Sequence, residues 1–244
     1  NNSGQRSAWG SYCLLGWGEQ YSSSVPIPIG RGALVGKTVT NITASTRNTC
    51  AVLSDGTAAC WGNNMMGQLG NGTTTESTTP VAVTGGALTG KTVTKITGGG
   101  AAWVPAFHTC AVLSDGTAAC WGNNENGQLG NGTNTNSTTP VAVTGGALTG
   151  KTITDISAGF GHTCALTSDG TAACWGVNQF GELGNGTTTE STTPVAVTGG
   201  ALTGKTVTKI TAGGFKTCAV LSDGTAACWG NNIYGQLGNG TTTN

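Results

Sequence analysis

Apolar residues along this chain gather in short runs at fixed positions of a repeat, with polar and glycine-rich stretches between them. From residue 26 onward four kinds of run follow one another in order: KTVTNIT (37–43), TCAVL (49–53), TAACWG (57–62) and PVAV (80–83), after which the cycle restarts at Lys91. Runs of this length and composition, bounded by Gly, Asn, Asp and Ser, predict strands. Four antiparallel strands make one blade of a β-propeller. The clearest unit, CAVLSDGTAACWGNN from Cys50, returns unchanged from Cys110 and Cys218, and as CALTSDGTAACWGVN from Cys164. Its second cysteines, Cys60, Cys120, Cys174 and Cys228, lie 60, 54 and 54 residues apart. A period of that size marks an array or propeller. The expected fold is therefore all-β: a propeller of four-stranded antiparallel blades, four in number, with a partial fifth as the alternative at the N-terminus.

Each unit reads as a β-hairpin. Ser54-Asp55-Gly56-Thr57 supplies residues that accept positive φ or bond their own backbone. With the turn centred on Asp55, Cys50 falls opposite Cys60, and facing cysteines on paired strands reach disulfide distance. Four bridges are predicted: Cys50–Cys60, Cys110–Cys120, Cys164–Cys174 and Cys218–Cys228. A metal site would want closer cysteine pairs or added histidines. Cys13, the ninth cysteine, has no partner in this scheme and is expected to be free or to bond another molecule.

The run from His162, HTCALTSDGTAACWGVNQFGELGNG, resembles the repeat of the regulator-of-chromosome-condensation family, and the resemblance recurs four times from residue 26 to the C-terminus. It implies a β-propeller. Nuclear members of that family are guanine-nucleotide exchange factors that bind chromatin, and a secreted bacterial member inhibits β-lactamase. The cysteine pairs depart from the nuclear pattern and argue against exchange activity here.

Charge and cysteine usage narrow the class. Only 8% of residues are charged, ten basic against ten acidic, so the basic footprint that phosphate binding needs is missing and a nucleic-acid partner is not expected. Paired cysteines point to an oxidising compartment, hence to a secreted or cell-surface protein. No apolar run is long enough to span a membrane, and Asn1 opens no signal peptide, so a leader would have been removed or lie outside this sequence.

Residues 1–25 fit the repeat poorly and are read as a divergent extension or partial blade, with the propeller spanning 26–244. The last copy stops before any PVAV run, while a similar run, Pro26, Ile27, Pro28 and Ile29, stands near the other end. That segment could complete the last blade within the chain or pass to a neighbouring molecule by strand addition.

Strand direction alternates, so the Ser-Asp-Gly-Thr turns and the TGGALTGK connections share one face, which barely varies between copies. Differences gather on the other face. Its apolar candidates for partner contact are Met65, Met66, Trp103, Phe107, Phe160, Phe180, Phe215, Ile233 and Tyr234, with Trp103 in a six-residue insertion. The alternative is that these residues cover the blade ends. His108 and His162 share one repeat position and read as packed loop residues; Asp55, Asp115, Asp169 and Asp223 read as turn residues. The Asn-Gly-Thr sequences at Asn71, Asn131, Asn185 and Asn239 read as turns that also fit a glycosylation acceptor.

No catalytic constellation, metal set or cofactor motif assembles from these residues. The sequence favours an extracellular, non-enzymatic structural protein that self-associates through the terminal strand or Cys13. The competing reading is a monomeric secreted module that binds a protein or glycan through the variable loops.

Overall fold

A computed structural model describes residues 24–100 and 107–244. Blade 1 comprises β1 (Val39–Ala44), β2 (Asn48–Leu53), β3 (Ala58–Gly62) and β4 (Ser77–Ala82). Blade 2 comprises β5 (Val93–Gly99), β6 (His108–Leu113), β7 (Ala118–Gly122) and β8 (Ser137–Ala142). Blade 3 follows with β9 (Ile153–Ala158), β10 (His162–Thr167), β11 (Ala172–Gly176) and β12 (Ser191–Ala196). Blade 4 holds β13 (Val207–Gly213), β14 (Lys216–Leu221) and β15 (Ala226–Gly230). The first three sheets have four antiparallel strands in sequence order and the fourth has three. Among the described residues no helix is long and apolar enough to cross a membrane.

The central hairpin of each blade forms for local reasons. Gly56 takes φ +77°, and the Thr57 N–H bonds the Asp55 carboxylate at 3.0 Å while the Leu53 N–H bonds the Thr57 carbonyl at 2.9 Å. A Cβ at Gly56 would also stand 2.5 Å from Thr92 Cβ, so the turn and the incoming strand both require glycine. The turn sets the register, Cys50 opposite Cys60, and the same pairing holds at Cys110/Cys120, Cys164/Cys174 and Cys218/Cys228. All four pairs are disulfide-bonded.

Alternation along β2 puts Cys50 and Val52 on one sheet face and Ala51 and Leu53 on the other. The first face, here called the back, meets the next blade; the second, the front, meets the preceding one. Core therefore lies between blades. Cys50, Val52, Ala58 and Cys60 of blade 1, with Leu69 and Val83 from the connections, pack on Val93, Ile96, Leu113 and Trp121 of blade 2. Equivalent cores join blade 2 to 3 and blade 3 to 4. The fourth cluster covers the front of blade 1 with Ile29, Ala33 and Leu34, and no cluster among the described residues joins blade 4 to blade 1.

Residues 26–29 lie outside the four sheets, and Ile29 packs against the front of blade 1 instead of lengthening the three-stranded fourth sheet. The Ile29 contact matches that of Val83 in the next blade. The N-terminal 23 residues, including Cys13, lie outside the described residues.

Candidate partner-binding face

On the variable face the β1–β2 and β3–β4 loops of each blade are tied together. The Asn63 N–H bonds the Arg47 carbonyl at 2.8 Å, and Asn123 to Phe107, Val177 to Gly161 and Asn231 to Phe215 repeat it at the same distance. A buried asparagine then holds each long loop from within. Asn64 Nδ2 donates to the Thr73 and Thr75 carbonyls, both at 2.9 Å, and its Oδ1 accepts from the Leu69 N–H at 2.9 Å. Asn124, Asn178 and Asn232 do the same. A loop satisfied internally in this way presents its tip residues on a fixed frame.

The tips differ from blade to blade. Met65 is 60% exposed, Ile233 55% and Tyr234 87%. Met66 is half-buried, with Asn123 and Asn136 amides of the neighbouring blade at its sulfur. Phe160 and Phe180 of blade 3 and Phe215 of blade 4, all half-buried, form one cluster. The ring centroids of Phe160 and Phe215 are 5.2 Å apart at 80°, and those of Phe180 and Phe215 5.6 Å apart at 67°, both edge-to-face. Because Phe215 O receives the Asn231 N–H, this cluster is continuous with the loop carrying Ile233 and Tyr234.

Phe107 corrects the expectation that it is a contact residue. It is 1% exposed, with the Arg47 guanidinium 5.3 Å above its ring centroid, and it plugs the core beside Gly100. Trp103 lies outside the described residues.

One buried group escapes a reading of the sequence by residue type. In blades 1, 2 and 4 a glutamine closes the loop: Gln68 bonds Asn63 and Gln236 bonds Asn231, at 2.7 and 2.6 Å, and Gln128 bonds Asn123. Blade 3 has Val177 and Glu182 at these positions. Glu182 Oε2 accepts the Phe180 N–H at 2.9 Å, while Oε1 is buried with no hydrogen-bond partner among the described residues. Burial raises the Glu182 carboxyl above its ordinary value. Its signal in the sequence is NNMMGQ turning into VNQFGE.

The remaining candidates are structural. His108 and His162 are fully buried, with Nε2 2.8 Å from Thr163 Oγ1 and 2.9 Å from Thr217 Oγ1 in the next blade. Desolvation lowers His162 to about 3, so its imidazole is neutral. On the invariant face, lysine pairs with the turn aspartate in each hairpin, from Lys37–Asp55 at 2.8 Å to Lys205–Asp223 at 2.6 Å. Hydrogen bonds from Lys37, Lys91 and Lys205, and at Asp169 chiefly from Thr167, hold these carboxyls below the usual range. Asn71, Asn131, Asn185 and Asn239 each accept the Thr N–H two residues on, as turn residues do.

A family model described as the regulator of chromosome condensation (RCC1) repeat matches residues 55–112, 115–166 and 169–220, and a second model of that repeat matches 39–68, 153–182 and 207–236. The chain is 32% identical to the Ultraviolet-B receptor UVR8 of Arabidopsis thaliana over 232 residues, 95% of this chain and 50% of that protein. Among solved structures it is similar to human WBSCR16, with TM-score 0.73 and 24% identity, covering 86% of this chain and 52% of that one. It is also similar to yeast RCC1 (Prp20), solved bound to Kap60, with TM-score 0.69 and 19% identity over 86% of this chain and 47% of that one. The chain thus spans about half the length of these relatives. On its repeats, its blades and these likenesses, the chain belongs to the regulator of chromosome condensation (RCC1) repeat family.

Proposed function

We propose that this chain is a non-catalytic, extracellular protein-binding propeller segment that engages its partner through the variable loop face. The observation that carries the reading is the Phe160–Phe180–Phe215 cluster together with the exposed Ile233 and Tyr234 beside it, on a hydrogen-bonded frame. Half-buried aromatics ringed by polar loops have the composition of interface hot spots. The opposite face repeats lysine–aspartate pairs with little change from blade to blade, which suits solvent. A relative of similar fold, yeast RCC1 (Prp20), was solved with a protein, Kap60, bound to it. The extracellular assignment rests on the four disulfides, since such bonds persist in oxidising compartments.

The test is capture of binding proteins from the surrounding medium by the wild-type chain, by a Phe180→Ala/Tyr234→Ala variant and by a Lys91→Ala/Lys205→Ala variant of the other face. Loss of a specific protein from the first variant alone is expected; equal capture by all three sinks the loop-face assignment.

A further inference from the structure

On the variable face, the long β3–β4-type loops of neighbouring blades meet along seams that are built from equivalent positions. At the blade 1–2 seam the Met66 sulfur lies 3.9 Å from Asn123 Nδ2 and 3.8 Å from Asn136 Nδ2, so a neutral side chain fills the gap between two neutral amides. At the blade 2–3 seam the same three positions hold Asn126, Val177 and Glu190. The shorter Asn126 leaves the gap open. A cavity of about 190 Å³ lies there, lined by Asn126, Val177, Asn178, Gln179, Thr188 and Glu190. It adjoins the aromatic cluster, since Gln179 precedes Phe180 and the Val177 N–H bonds the Gly161 carbonyl, next to Phe160, at 2.8 Å.

Two acids belong to this cavity. Glu190, an exposed residue, lines it directly. Glu182 stands behind the Val177 wall. Its Oε2 accepts the Phe180 N–H just as Gln68 Oε1 accepts the Met66 N–H at 3.0 Å. Its Oε1 therefore takes the place of the Gln68 amide nitrogen, which bonds residue 63, and the counterpart of residue 63 is Val177. That oxygen is fully buried, with no hydrogen-bond partner among the described residues. The loops 63–76, 123–136 and 177–190 carry Glu76, Glu125, Glu182 and Glu190 and no lysine, arginine or histidine. The ion pairs among the described residues all join a lysine to an aspartate, so none reaches either carboxyl.

We propose, resting on the loop-face reading, that this cavity receives a lysine or arginine side chain of the partner protein, with Glu190 as its counter-ion and Glu182 as a second acid behind it. The apolar stem of such a side chain packs on Val177 while its head meets the Glu190 carboxylate and the side-chain oxygens of Asn126, Gln179 and Thr188. A hydrogen bond between ionised groups is stronger than one between the neutral groups that fill the blade 1–2 seam. The partner's contact segment thus pairs an apolar anchor on the phenylalanine cluster with a cation beside it.

The test is an NMR titration of the isotope-labelled 244-residue chain with acetyl-lysine amide and acetyl-arginine amide, and with acetyl-norleucine amide as the uncharged control. Saturable shifts of the Asn126, Val177, Gln179 and Glu190 amides are expected with at least one cation and not with the control. Glu190→Gln should weaken that binding about tenfold, the loss expected of one charged hydrogen bond. Asn126→Met, which refills the seam as Met66 does, should abolish it. Silence with both cations, equal shifts with norleucine amide, or unchanged affinity in either variant overturns the proposal. Failure of the loop-face reading looks different: Phe180→Ala/Tyr234→Ala would then capture its protein as wild type does, whatever the cations do.

Discussion

Glu182 gives the sharpest energetic prediction. Its carboxyl is buried in the place where three other blades hold a neutral glutamine, and Val177 has removed the amide that would pair with it. Burying the ionised carboxylate costs about 1–3 kcal/mol or more, so Glu182→Gln, which removes the charge, should stabilise the fold by a comparable amount at neutral pH. Adding Val177→Asn restores the bond that Gln68 makes to Asn63 and should contribute a further ~0.5–1.5 kcal/mol. The pH dependence has a definite sign. Burial raises the folded pKa above the ordinary 4.5, so the unfolded chain loses this proton first as pH rises. Stability from Glu182 is intact below that ordinary value and falls at up to about 1.4 kcal/mol per pH unit above it, levelling once the folded carboxyl also ionises. The exposed turn aspartates act in a separate window: their lowered values lend stability above 3.8 that is lost as pH falls below it. Urea unfolding of wild type and Glu182→Gln at about pH 4.5 and about pH 8 isolates the Glu182 effect. The variant's advantage should be small at the lower pH and full at the higher. An advantage that does not change between the two, or a variant less stable than wild type at the higher pH, would refute the reasoning.

Other consequences follow from the junctions. Cys218–Cys228 is half-buried while the other six bridged cysteines have no exposure, so limited reduction and alkylation of the 244-residue chain should label this pair first; mass spectrometry showing equal labelling of all four pairs would contradict it. Removing the Cys110–Cys120 bridge as a double alanine variant should lower stability by roughly 2–3 kcal/mol, read from denaturant midpoints. Gly130 has φ +68° and a Cβ there would sit 2.7 Å from Trp175 Nε1, whereas Gly145 has φ +72° with nothing within 4 Å. Gly145→Ala should therefore cost only the left-handed strain of about 1–2 kcal/mol, and Gly130→Ala that plus a further ~1–3 kcal/mol of overpacking; equal melting shifts would show that Gly130 is not needed for close packing.

The hairpins, their registers and the bridges were legible because everything that makes them is local: the Asp-Gly turn fixes which residues face, and the cysteines lie five positions either side. Blade order was legible from the period. Burial at the loop face was not. Phe107 and Phe215 hold the same repeat position, yet one is a core plug under Arg47 and the other part of a half-buried aromatic cluster, because the neighbouring blade differs. Val39 and Val93 sit in identical KTVT runs and differ about tenfold in exposure for the same reason. Local sequence carries no record of which blade stands next door. Residues 26–29 join none of the four sheets, and Ile29 packs on blade 1 as Val83 packs on blade 2.

Oxidative footprinting of the chain, free and bound to a captured protein, tests most directly whether the loop face is the contact surface. Tyr234, at 87% exposure, should label readily in the free chain and be protected in the complex along with Ile233 and Phe180, while the turns around Asp55, Asp115 and Asp169 stay unchanged. Protection confined to those turns, with Tyr234 labelled as before, would contradict it.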